Sequence, residues 1–333
     1  MSENSNLDKK PIISVKDLKI HFPLKKSLPW HEKRFVQAVN GVSFDLYEGE
    51  TLGLVGESGC GKSTLLRGLI GLISPATAGS IHYNGEDLAK YKNQDNKWQK
   101  IRRDIQMIFQ DPFASLNPRM TVGNIIAEPL VVHHPDISKA DRKKRVAEMM
   151  RLVGLSPNFI NRYPHQFSGG QCQRVGIARA LILKPKILLC DEPVSALDVS
   201  IQAQVVNLLK KLQKELKLTI VFVAHNLSVV KHISDRIVVM YLGRVMEVGQ
   251  AHDLCNFPQH PYTKALLSAV PLPDPELEKN KQIQILEGDL PSPINPPSGC
   301  VFRTRCPKAK ANCGEIIPNL IQSQHDLSAC LHI

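Results

Sequence analysis

The sequence predicts an α/β protein built around a buried parallel sheet. Three observations predict it. Residues 51–55, Thr-Leu-Gly-Leu-Val, form a short apolar run that enters a glycine-rich turn and then a stretch of helical spacing. Residues 186–192, Lys-Ile-Leu-Leu-Cys-Asp-Glu, form a second run that ends in two carboxylates. Residues 219–224, Thr-Ile-Val-Phe-Val-Ala, form a third, ending at His225. Short runs that are apolar on both faces suit strands covered from both sides, as in parallel sheets.

The turn after the first run reads Gly56-Glu-Ser58-Gly59-Cys60-Gly61-Lys62-Ser63-Thr64, which matches the phosphate-loop pattern. Leu65, Leu66, Leu69 and Ile70 then give residues 63–72 helical spacing. The loop therefore lies between strand and helix, the context its chemistry requires. Glycines let backbone N–H groups approach phosphate without a Cβ in the way, and the helix N-terminus adds partial positive charge. Lys62 is expected to reach the β/γ-phosphates and Ser63 Oγ to bind Mg²⁺. Cys60, close to that helix end, is expected to carry a stabilised, alkylatable thiolate.

The second strand delivers Asp191 and Glu192 at its carboxyl end, where ligand groups gather in such sheets. Asp191 is placed to hold Mg²⁺ through water, and Glu192 to polarise an attacking water. His225, at the end of the third strand, is read as a γ-phosphate contact, the alternative being a structural histidine.

These pieces resemble the ATP-binding cassette family, and the resemblance covers most of the chain. Residues 56–64 look like Walker A and residues 187–192 like Walker B. Gln110, in Met-Ile-Phe-Gln-Asp-Pro, looks like the Q-loop glutamine and a further Mg²⁺ ligand. Ser168-Gly169-Gly170-Gln171 looks like the signature, Ser195-Ala-Leu-Asp198 like the D-loop, and His225 like the switch histidine. Phe167 stands before the signature where Leu is usual, and Cys172 follows where a basic residue is usual; neither change removes a phosphate ligand. The resemblance implies a P-loop NTPase with a RecA-like core, bound ATP and Mg²⁺, and a sandwich dimer. The signature opens a helix over residues 171–183, a second phosphate-facing helix end that in the family meets the partner's nucleotide. A lone chain is thus expected to bind ATP and hydrolyse it poorly. The family also stacks adenine on an early aromatic residue; Phe22 is the candidate, with Trp30 and Phe35 as alternatives beside an insertion at residues 24–35.

At 333 residues and 43% hydrophobic content the chain suits two domains with a sizeable core. No apolar run approaches the ~20 residues that span a bilayer, and residues 1–10 hold no signal-peptide core. A soluble cytoplasmic chain is expected. The net charge of +11 is compatible with nucleic acid, an anionic membrane or nucleotide, and does not choose among them. Val146, Met149, Met150 and Val153 give residues 141–154 amphipathic spacing. That stretch is either an ordinary packing helix or part of the family's helical subdomain, placed at residues 112–178, whose groove receives a membrane subunit. Residues 235–249 read as a strand hairpin turning at Gly243. The ATPase domain is expected to span residues 1–257.

After it the composition changes. Prolines recur from Pro258 to Pro297, which blocks long helices and regular sheets. Cys300, Cys306, Cys313 and Cys330 then cluster, spaced unlike common zinc ribbons. In a reducing compartment they suggest a metal or cluster site, or free thiols. His-Pro-Tyr-Thr-Lys-Ala-Leu at residues 260–266 with the following Leu267, and Phe-Arg-Thr-Arg-Cys-Pro at 302–307, resemble the C-terminal region of oligopeptide and dipeptide permease ATPases. The whole chain is similar to that family's F-type branch, whose signature also carries Phe and Cys at these two positions. The resemblance implies that the four cysteines ligate a 4Fe–4S cluster, with Zn²⁺ as the other fit. It implies peptide import at the inner face of the bacterial membrane with two transmembrane permease subunits, a D-type ATPase sister and an external peptide-binding protein, and no nucleic acid. Two rival readings stand beside it: the same machine carrying dipeptides, nickel chelates or antimicrobial peptides, and a soluble ATPase acting on nucleic acid or ribosomes.

Overall fold

The computed structural model describes residues 10–24, 33–73, 77–91, 95–271, 275–323 and 326–332. The chain forms two compact units: Met1–Glu48, Leu52–Lys92 and His225–Ile333 make the first, and Gly49–Thr51 with Asn93–Ala224 the second. It enters the second unit and returns, so residues far apart in sequence share the first.

The first unit opens with β1 (Ile13–Pro23) and β2 (Phe35–Leu46), an antiparallel pair, followed by β3 (Thr51–Val55) and α1 (Lys62–Leu69). Next come β4 (Ala78–Tyr83) and β5 (Glu86–Asp87), which complete a four-stranded sheet in the order β2-β1-β4-β5. α1 is shorter than its apolar spacing predicts: Gly71 takes φ 64, and Leu72 is half exposed beyond it.

The second unit contains α2 (Asp95–Asp104), β6 (Ile105–Ile108), α3 (Val122–His133), α4 (Lys139–Leu152) and α5 (Gly169–Leu181). It continues with β7 (Ile187–Asp191), α6 (Val199–Leu216) and β8 (Thr219–Ala224). β6, β7 and β8 are parallel, with Ile108 beside Cys190 and Asp191 beside Val223. Every residue of β7 and β8 is buried, as continuous apolar runs require. α4 buries Val146, Met149 and Met150, the stripe that its sequence spacing marks.

The return to the first unit brings α7 (Leu227–Ile233), β9 (Arg236–Tyr241) and β10 (Arg244–Gln250). β9 lies parallel to β3, with Leu52 beside Arg236 and Val55 beside Val239. β9 and β10 form the expected hairpin. Leu242 and Gly243 both have positive φ, 44° and 74°, the pairing that a two-residue turn needs to follow the strand twist.

After β10 the chain folds as α8 (Ala251–Asn256), α9 (Pro261–Ser268) and α10 (Pro275–Lys279), then β11 (Ile321–Gln322) and β12 (Leu327–Ser328). β12 pairs with β10. Tyr262 and Phe302 are fully buried against Tyr241 of β9, with ring centroids 4.8 and 5.2 Å away. Instead of a separate core, this segment uses an aromatic cluster shared with β9. Among the described residues no helix is long and apolar enough to cross a membrane.

Candidate nucleotide site

The phosphate loop links β3 to α1 as expected. Its backbone demands glycine at two points. A Cβ on Gly56 would meet the Met240 carbonyl oxygen at 2.1 Å, and one on Gly61, at φ 103, would meet that of Ala38 at 2.0 Å. β2 and β9 therefore crowd the loop from outside, and only bare backbone fits. Gly61 is also the N-cap of α1.

Lys62 is 4% exposed. Its Nζ donates to the carbonyl oxygens of Gly56 at 2.8 Å and Glu57 at 3.0 Å. The ammonium is thus held within the curl of the loop. Ser58 and Gly59 are exposed, and Ser63 and Thr64 partly so. Cys60 departs from expectation. It is fully buried, and burial pushes its thiol up despite the opposing pull of Lys62. The helix end does not produce a thiolate, because loss of hydration outweighs nearby positive charge.

In the second unit, strand ends place the chemistry. Asp191 is the last residue of β7 and is fully buried. Glu192 follows in the left-handed region, φ 45, which turns its side chain out of the strand direction. Gln110 lies just past β6, and its Nε2 donates to Glu192 Oε2 at 3.0 Å. Ser195 Oγ donates to the Glu192 carbonyl at 3.1 Å.

Ser168 caps α5. Its Oγ accepts from the Gln171 N–H at 3.3 Å, while Gln171 Oε1 accepts from the Ser168 N–H at 3.0 Å. The Gln171 side chain thereby serves the turn. A Cβ on Gly170 would meet Ile201 Cγ2 at 2.5 Å, and one on Gly169 would meet Leu197 at 3.3 Å. Asp198 is exposed and is the N-cap residue of α6. The two unusual signature neighbours have packing roles. Phe167 meets Phe159 edge-on at 5.9 Å, and buried Cys172 donates through Sγ to the Pro164 carbonyl at 3.5 Å. Burial raises the Cys172 thiol to about 11.

His225 is exposed at the start of the return to the first unit. Phe22 and Phe35 are each 37% exposed, where β1 and β2 pair Phe22 with Val36 and Pro23 with Phe35. Both rings remain available for stacking. Trp30 lies outside the described residues.

Among the described residues the four tail cysteines form no disulfide. The Cys300 N–H donates to the Cys313 carbonyl at 2.8 Å. Each sulfur accepts a backbone N–H: Cys300 from Phe302, Cys306 from Lys308, Cys313 from Lys310 and Cys330 from His332. Burial pushes the Cys300 and Cys306 thiols up, and charge on the neighbouring cysteines adds to it. The expected ligand set is therefore gathered as neighbours. Even so, among the described residues no three His, Cys, Asp or Glu side chains form a group that would hold a metal ion. A preformed cluster cage, as the sequence leads one to expect, is not what the chain presents.

One contact at the phosphate loop has no local signal in the sequence. Arg305 Nη1 pairs with Glu57 Oε2 at 2.8 Å, so the tail reaches the phosphate loop.

Residues 39–195 match the family described as ABC transporter, and residues 246–313 match the oligopeptide/dipeptide transporter C-terminal region. The chain is 60% identical to the oligopeptide transport ATP-binding protein OppF of Salmonella typhimurium over 98% of its own length and 97% of that protein's. It is 60% identical to OppF of Haemophilus influenzae over 98% of each, and 51% identical to the oligopeptide transport ATP-binding protein AppF of Bacillus subtilis over 97% of each. Among solved structures it is similar to cbiO1 of Clostridium perfringens, part of the ABC transporter complex cbiONQ. The TM-score is 0.63 at 26% identity, covering 75% of this chain and 92% of that one. It is also similar to the ATP-binding cassette MJ0796 in a dimeric post-hydrolysis state bound to ADP and Pi. There the TM-score is 0.62 at 32% identity, covering 72% and 98%.

Proposed function

Because the chain belongs to the ATP-binding cassette transporter family, in its oligopeptide and dipeptide branch, we propose that it is the ATP-hydrolysing subunit of an oligopeptide importer. The observation that carries this is 60% identity to oligopeptide transport ATP-binding proteins across nearly the full length, tail included. The tail matters because the cassette alone is common to many transporters. Residues 1–257 form the ATPase domain, with residues 112–178 as its helical subdomain, and residues 258–333 form the peptide-permease C-terminal region.

ATP and Mg²⁺ follow from the family. Lys62 neutralises the β/γ-phosphates, and the loop N–H groups of residues 58–64 cradle them. Ser63 Oγ, Gln110 and Asp191 would hold Mg²⁺, which neutralises charge on the phosphates when bound; buried Asp191 is a hard oxygen donor suited to it. Glu192 polarises the attacking water, with Gln110 orienting its carboxylate and His225 facing the γ-phosphate. Phe22 stacks on adenine. Ser168, Gly169, Gly170, Gln171 and Asp198 serve the nucleotide of a partner chain.

An ATPase of this type works with membrane permease subunits and a peptide-binding protein. We assign two transmembrane subunits, a D-type sister as heterodimer partner, and a peripheral position on the cytoplasmic face of the inner membrane. The dimeric state of MJ0796 supports pairing, since that cassette is described as a dimer with ADP and Pi bound. We assign the four tail cysteines to a 4Fe–4S cluster, or Zn²⁺. The N–H donor to each sulfur supports this, because such donors stabilise thiolates. The group would staple the tail structurally.

Affinity purification of the chain from membranes tests the reading. Permease subunits and a second ATPase should co-purify, and peptide should stimulate ATP hydrolysis in the assembly. A chain recovered alone, with ATPase activity indifferent to peptide in reconstituted membranes, would defeat the transport assignment.

A further inference from the structure

We infer that Arg305 is a positioning residue for the nucleotide site: it neutralises the carboxylate that Glu57 carries inside the phosphate loop, and so sets the loop's affinity for triphosphate. The inference rests on reading residues 56–64 as the ATP loop.

Glu57 is an awkward residue for a loop that must receive a polyanion. An uncompensated carboxylate there would repel phosphate and compete with it for Lys62. The chain answers with three tethers. The Glu57 N–H donates to Tyr262 Oη at 3.0 Å. The Glu57 carbonyl accepts from Lys62 Nζ at 3.0 Å. The Glu57 carboxylate accepts from Arg305 Nη1 at 2.8 Å.

Two of the three tethers come from the C-terminal segment. Tyr262 is fully buried on α9, and the Arg305 side chain is only 11% exposed. The Arg305 N–H donates to the Phe302 carbonyl at 3.0 Å, and Phe302 is locked against Tyr241 and Tyr262. The guanidinium is thereby fixed in place before nucleotide arrives. A pair so shielded is screened less than a surface pair, and its ordering cost is already met by the packing. The C-terminal segment thus contributes to ATP binding through charge, in addition to any role of its cysteines.

The test is ATP binding by calorimetry on the purified full-length chain, with KM and kcat measured in the assembled transporter. Arg305→Met should weaken ATP binding by roughly three- to tenfold and raise KM more than it lowers kcat. Arg305→Lys should keep most of the affinity. Glu57→Gln combined with Arg305→Met should return affinity to within about twofold of wild type, because the charge needing neutralisation is gone. An Arg305→Met chain that binds like wild type overturns the inference. So does a double variant as weak as Arg305→Met alone, since that loss would be structural. A wild-type chain that bound no ATP would instead overturn the nucleotide-site reading, and this inference with it.

Discussion

Gln110 and Glu192 are joined by a hydrogen bond of 3.0 Å between side chains carried past the ends of two adjacent parallel strands. The amide donates and the carboxylate accepts, so Gln110 orients the group assigned as general base. Glu192→Gln keeps the shape and removes the charge. Turnover in the assembled transporter should fall about 10²- to 10⁴-fold while ATP binding persists. Where a second ATPase chain in the assembly keeps its own activity, each site is to be measured with the other disabled. Wild-type turnover at the variant site would contradict the assignment.

Lys62→Ala should act differently. It deletes the ammonium that the loop encloses and that the phosphates would meet. Calorimetry should show ATP affinity lost, not only turnover. Unchanged affinity would speak against the loop's role.

Cys60 should be inert in the native chain. Its thiol is fully buried and pushed up, so little thiolate exists near neutral pH. Iodoacetamide followed by peptide mass spectrometry should label it only after denaturation. Rapid native labelling that ATP blocks would restore the reactive-thiolate expectation.

Asp326 should make stability depend on pH. Burial, then Glu247 and Asp253, raise its carboxyl from 3.8 to about 7. The unfolded chain releases this proton first as pH rises. Stability is therefore lost between those two values and stays reduced above pH 7. Asp326→Asn should raise the Tm by a few degrees at pH 8 and by little at pH 4. Thermal scans showing equal effects at both pH values would refute the linkage.

The tail should yield metal when prepared without oxygen. A 4Fe–4S cluster gives brown protein with about four irons per chain, and zinc gives one colourless ion. Cys313→Ser should lower the bound metal. Elemental analysis finding neither metal would leave four thiols with only a packing role.

Local pattern determined much of this protein. Three short apolar runs, one entering a glycine-rich turn and two ending in polar residues, specify parallel strands because a period-free apolar stretch has to be buried on both faces. The phosphate loop, the Asp191–Glu192 pair, the amphipathic stripe of Val146, Met149 and Met150, and the turn at Gly243 depend on neighbours close in sequence. Composition also marks the proline-rich tail. Tertiary structure decided what such spacing cannot encode. Arg305 and Glu57 are 248 positions apart, and nothing local to either residue names the other. The expectation for Cys60 failed for a related reason: the helix end that lowers a thiol is written in the sequence, but the burial that raises it comes from chain folded elsewhere. Phe167 and Cys172 look like departures from a motif until Phe159 and the Pro164 carbonyl are seen beside them. The tail's four cysteines are plain in the sequence, whereas their approach to one another depends on β12 pairing with β10 and on Phe302 docking against Tyr241. Backbone conformation follows from adjacent residues, but desolvation and charge pairing follow from whichever residues folding brings near.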